Sequence, residues 1–132
     1  MAYASAFMGT PAATYRQIDA AGRTAVADGA GLVQLLYEEL VAALRAAAWA
    51  AEHGKPAAKS ERVTRATAIL FALEAGLDFD KGGDVSVALS TLYTGARATV
   101  VNASLGHDPA PFRSTAANFA EIAQAWQTAR AA

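Results

Sequence analysis

The chain has 132 residues, 54% of them hydrophobic, no cysteine and a formal net charge of -1, the balance of eleven basic and twelve acidic side chains. That length supports one domain with a core of its own. The charge leaves no basic excess to hold a phosphate backbone or an anionic membrane surface, and the missing thiols exclude disulfides and thiolate metal sites.

Residues 1–27 carry scattered apolar side chains (Tyr3, Phe7, Met8, Tyr15, Ile18, Val26) interrupted by Gly9, Pro11 and Gly22. This pattern predicts a mobile arm or one short helix ahead of a bundle formed by residues 28–132. The opening residues have neither a basic start nor an apolar run of signal-peptide length, and no stretch approaches a membrane span, so a cytoplasmic protein is expected.

From Asp28, read as an N-cap, to His53, the spacing of Leu32, Leu35, Leu36, Leu40, Leu44, Ala47 and Ala51 predicts a first long helix. Gly54 and Pro56 stop it. Ser60 is the expected cap of a second helix, with a Glu61 to Arg65 pair at four-residue spacing and an apolar stripe of Val63, Ala66, Leu70, Leu73 and Leu77. The segment DFDKGGD reads as the turn that follows, with Gly82 and Gly83 supplying backbone freedom and Asp84 capping a third helix. Val85, Leu89, Leu92, Ala96, Val100 and Ala103 form the core stripe expected of that helix, which runs to Leu105 and ends at Gly106. Asp108 caps a fourth helix with Pro109 at its first position, and Phe112, Ala116, Phe119, Ile122, Ala123 and Trp126 make the last stripe. Four helices with short connections predict an all-α, antiparallel up-down-up-down bundle.

The residues outside those stripes are unusual for a solvated surface. The third helix carries Val87, Thr94, Ala98, Val101 and Leu105 opposite its core row, with Arg97 its one charged side chain beyond Asp84, and the second carries Ala68, Phe71, Ala72 and Ala75. Outer faces without charge imply cover by a partner or by another part of the chain. Catalytic patterns are absent: His53 and His107 sit beside helix stops, no HExxH or Glu-x-x-His spacing occurs, and Gly82-Gly83 lacks the frame of a phosphate-binding loop. Adjacent Glu38 and Glu39 diverge by about 100° on a helix and form no carboxylate pair. No enzyme activity, metal or cofactor is expected.

Several segments, in order, resemble the flagellar secretion chaperone family FliS: Tyr15 with the following RQI, TAVADGAGLVQLLYEEL at Thr24 to Leu40, RVTRATAILFALEAGLDFDKGGDVSVALSTLY at Arg62 to Tyr93, VVNASLGHD at Val100 to Asp108, and Ala125-Trp126. The sequence departs from that family at Ala27-Asp28-Gly29, where a Ser/Thr-Pro pair is usual, and after Leu92-Tyr93, where Arg97 alone keeps a basic character. The resemblance implies a cytoplasmic chaperone that binds the disordered C-terminal segment of flagellin, prevents early polymerisation and delivers it to the export apparatus. It also implies that Tyr15 belongs to an N-terminal cap over the binding groove. The contacts expected for a tail folding into apolar grooves are Leu36 and Tyr37 on the first helix, Ile69, Phe71 and Ala72 on the second, and Tyr93, Val101 and Leu105 on the third. For Tyr37 and Tyr93 a place in the core is an equal alternative. Two other classes fit a small bundle: a histidine phosphotransfer module and a bundle that self-associates through its apolar faces.

Overall fold

The computed structural model describes residues 29–131, which form α1 (Gly29–Glu52), α2 (Pro56–Ala75), α3 (Phe79–Ser104) and α4 (Ala110–Ala131). The arm, the Asp28 cap and Tyr15 lie outside the described residues. The described residues make an all-α four-helix bundle in which α1 packs on α2 and α4, and α3 packs on α2 and more sparingly on α4. Consequently α1 and α3 occupy a diagonal.

The core grows from the α1 stripe. Leu40, Leu44 and Ala47 are fully enclosed, and they meet Val63, Ala66 and Leu70 of α2 and Phe112, Ala116 and Phe119 of α4. Each large side chain withdrawn from water contributes about 1.5–3 kcal/mol before entropy is counted. The α1 helix closes with Gly54 at φ 63° and a hydrogen bond from the Lys55 amide to the Ala50 carbonyl. That six-residue closure satisfies a carbonyl the helix leaves free, and glycine is the residue that takes the left-handed turn without strain.

Several element starts differ from the sequence expectation. Ser60 caps nothing: α2 begins at Pro56, whose fixed φ suits a first turn where no amide partner is needed. Arg65 reaches across to Glu39 of α1 at 3.3 Å instead of pairing with Glu61. The cap of α3 is Asp78, which accepts from the Lys81 amide at 3.0 Å, so Asp84 is not the residue that starts it. The segment read as a turn is a helical turn, Phe79 to Gly82, joined to the long part of α3 through a break at Gly83. Gly83 has φ 50° and ψ -124°, which an L side chain rarely adopts. Gly82 is needed for space, because a Cβ there would lie 1.9 Å from the Ser86 hydroxyl oxygen. That hydroxyl donates to the Asp78 carbonyl at 2.8 Å and ties the turn to the helix beyond the break. The α4 start differs by one residue: Asp108 accepts from the Ala110 amide at 2.9 Å, and Pro109 precedes the first helical position.

The buried row of α3 is Ser86, Tyr93 and Val100, seven residues apart, while Leu89, Leu92, Ala96 and Ala103 are half-buried at its margin. Val85, expected in the core, is exposed. It lies two residues past the Gly83 break, just before the buried row begins at Ser86.

Candidate partner-binding surface

Among the described residues, a run of exposed apolar side chains lies on α3. Val87, Thr91, Thr94, Ala98, Val101 and Leu105 succeed one another by three or four residues, and every one is exposed. That spacing places them in a single stripe along the helix. Its threonines add little polarity: Thr91 Oγ1 donates to the Val87 carbonyl at 3.1 Å, and Thr94 Oγ1 donates to Glu74 at 3.2 Å. A hydroxyl engaged in this way has its donor satisfied. Leu105, 82% exposed, ends the stripe.

Phe71 of α2 extends this surface across the α2–α3 seam and is 60% exposed. The Arg97 guanidinium carbon lies 5.5 Å from its ring centroid, and Arg97 Nη1 donates to Glu74 Oε2 at 3.3 Å. The ring face attracts the cation, and the carboxylate three residues after Phe71 holds it there.

The expected contact residues therefore divide by position. Phe71, Val101 and Leu105 stand on the exposed surface, and Leu36 is half-buried against the core. Ile69 and Ala72 are buried. Tyr37 and Tyr93 take the core alternative: both are enclosed, and their hydroxyls meet at 2.6 Å across the α1–α3 diagonal. Phe119 packs against both rings with centroids 6.2 Å away, and Trp126 meets Tyr37 edge-on. Burial pushes the Tyr37 hydroxyl above its ordinary pKa of 10.0, and the hydrogen bond with Tyr93 partly opposes the shift. Burial raises Tyr93 strongly, and the bond to Tyr37 and the repulsion of its charge act in the same direction.

Sequence reasoning missed two exposed aromatic side chains. Phe79 stands on the capped turn before Gly83, and Trp49 lies on the outer face of α1, stacked on His53 with centroids 4.2 Å apart. Both were legible: Phe79 stands between Asp78 and Asp80, and Trp49 falls off the Leu40–Leu44–Ala47 row.

His53 Nδ1 is engaged with the Trp49 carbonyl at 2.8 Å, and neither histidine lies within a helix. His107 lines an open cleft with Thr99, Asn102 and Pro111, and the neighbouring Asp108 serves the α4 cap. No metal-holding group of histidine or carboxylate side chains occurs among the described residues, and none of their helices is long and apolar enough to cross a membrane.

Comparison with known proteins accounts for nearly the whole length. The family model described as "Flagellar protein FliS" matches residues 11–132. The chain is also similar to the flagellar secretion chaperone FliS of Salmonella typhimurium (strain LT2), with 30% identity over 114 residues, which cover 86% of this chain and 84% of the relative.

Proposed function

The chain belongs to the FliS family and is a flagellar export chaperone; from that premise we propose that its client is the C-terminal segment of flagellin, bound in the cytoplasm and passed to the export apparatus. The observation that carries this reading is the uncharged stripe of α3 continued by Phe71. A client segment, unstructured when free, lays its apolar side along that stripe and folds as a helix, while Phe71, Val101 and Leu105 make direct contact. Leu36 contributes at an edge. Tyr37, Ile69, Ala72 and Tyr93 support the surface from beneath by holding α1, α2 and α3 in place. Covering the client's assembly segment is what prevents premature polymerisation. Coupled folding needs a surface on the order of 1,000–3,000 Å², so the client spans more than one helix of the bundle.

Residues 1–27 act in this scheme as an arm that competes for the same surface, with Tyr15 as its cap. An arm that occupies the surface part of the time lowers client affinity by that fraction.

Titration calorimetry with the C-terminal segment of the flagellin from the same cell, run at several temperatures beside circular dichroism, tests the proposal. Binding with a negative heat-capacity change and a gain of helix is expected. No heat and no spectral change from micromolar to millimolar peptide rejects the client. Self-association is the competing outcome, read as a concentration-dependent increase in size that the peptide leaves unchanged. In the same assay, deletion of residues 1–14 with Tyr15→Ala tightens binding or raises uptake of a hydrophobic dye; parental behaviour in both rejects the cap.

A further inference from the structure

Arg97 is the one charged side chain of α3 beyond Asp84, and it stands on the shoulder of the client stripe. It contacts the stripe through Phe71, and the bond that restrains it runs from Nη1 to Glu74 Oε2 at a long 3.3 Å. That same oxygen also accepts from Thr94 at 3.2 Å. A guanidinium has five N–H donors in a fixed fork, and a good carboxylate partner meets two of them at shorter range. The Glu74 pair is neither bidentate nor close. Both partners are about a third exposed, so the guanidinium is open to solvent on its free side.

Covering the stripe with an apolar helix removes that solvent. A cation enclosed against Phe71 and left with one long contact becomes a cost to binding, whereas an incoming carboxylate removes the cost and makes a two-pronged bond. The geometry points to Arg97 as the residue that selects the client segment and sets its register by receiving a carboxylate at the edge of the client's apolar face. This rests on the client surface proposed above. The matching client carries one aspartate or glutamate beside the apolar residue that covers Phe71. A lysine or arginine at that place is rejected by like charge, so the same side chain both attracts and discriminates.

A double-mutant cycle by calorimetry tests it with the full chain. The probe is the C-terminal segment of the cell's own flagellin, and a set of peptides in which each aspartate is changed to asparagine, or glutamate to glutamine, one at a time. Arg97→Leu is expected to weaken the parent peptide about tenfold or more, the range of a hydrogen bond to a charged group. For one peptide of the set, and for that one alone, Arg97→Leu changes nothing further. Arg97→Lys retains much of the affinity because it keeps the charge; a role limited to packing on Phe71 gives the opposite order, with leucine the better substitute. Equal losses with every peptide, or no loss with any, overturn the inference. Phe71→Asp separates this from the client reading: if it abolishes binding while Arg97→Leu has no effect, the surface stands and the role of Arg97 falls. A peptide that does not bind the parent protein overturns both.

Discussion

The outer faces of α1 and α3 are equivalent in geometry and opposite in chemistry. Along α1 the exposed series is Glu38, Ala42, Arg45, Trp49 and Glu52, with a charge every seventh residue, as a helix facing water requires. Along α3 the series is Val87, Thr91, Thr94, Ala98, Val101 and Leu105, with none. The inner faces differ in the reverse sense: α1 buries nine of its 24 residues and α3 three of its 26, so α3 contributes less to the core although it carries more apolar surface than water favours. The lesson is that apolar content alone does not mark a core helix. The surplus on α3 is directed outward, onto the face where the client is proposed to dock.

Leu44→Ala against Val87→Ala tests that contrast where the effect is largest. Leu44 has no exposure, so its truncation should cost about 2–5 kcal/mol in urea unfolding. Val87 is 55% exposed, and its truncation should stay within about 0.5 kcal/mol. Comparable losses would mean that the α3 stripe is part of the folding core.

Tyr93→Phe comes next, because it removes a link between α1 and α3 and leaves the Tyr37 hydroxyl enclosed without its partner. A loss of about 1–3 kcal/mol is expected, and the Tyr37→Phe/Tyr93→Phe double variant should lose less than the two single changes added together. The pair also gives an alkaline signature. Both hydroxyls have folded pKa values raised above 10.0, so the unfolded chain releases protons first. Their stabilising contribution is full below about pH 10 and declines as pH rises above it. Unfolding followed from pH 8 to 11.5 should show this decline in the parent and a flatter profile in the double variant; parallel profiles would deny the pair that role.

Gly83→Ala is the smallest of the three. Forcing a Cβ into a backbone with φ 50° costs about 1–2 kcal/mol. Hydrogen exchange should localise the change to Phe79–Ser86, because that turn hangs from the break and from the bond between Ser86 and Asp78. A loss of protection spread evenly over α1 and α4 would show that the break is integral to the core.

The periodicity of 3.6 residues made four helices legible, together with the rows on α1, α2 and α4, because α2 and α4 both pack closely on α1. It served α3 less well. Leu89, Leu92 and Ala96 satisfy the same period as the true buried row, and a helix with uncharged residues on every side gives the pattern no contrast from which to fix its rotation. The capping errors have a different cause. Ser60 and Asp84 are good N-cap residue types, but α2 starts earlier, at Pro56 and without a side-chain cap, and Asp78 caps α3 before Asp84 is reached. In the candidate surface, Phe71, Val101 and Leu105 were legible as apolar residues off the stripes. The enclosure of Tyr37 and Tyr93 was not, because it depends on a contact between residues 56 positions apart.

Trp126 donates its indole N–H to the Ala30 carbonyl at 3.0 Å, in the first turn of α1. The chain has two tryptophans, and the other, Trp49, lies at the opposite end of that helix. With Trp49 replaced by phenylalanine, the fluorescence of the protein arises from one indole whose hydrogen bond ends on the second residue of α1. Displacement of that carbonyl alters the polarity felt by the excited ring and shifts its emission. The fold thus contains an optical gauge of the first turn of α1, readable without a label and on the timescale of mixing.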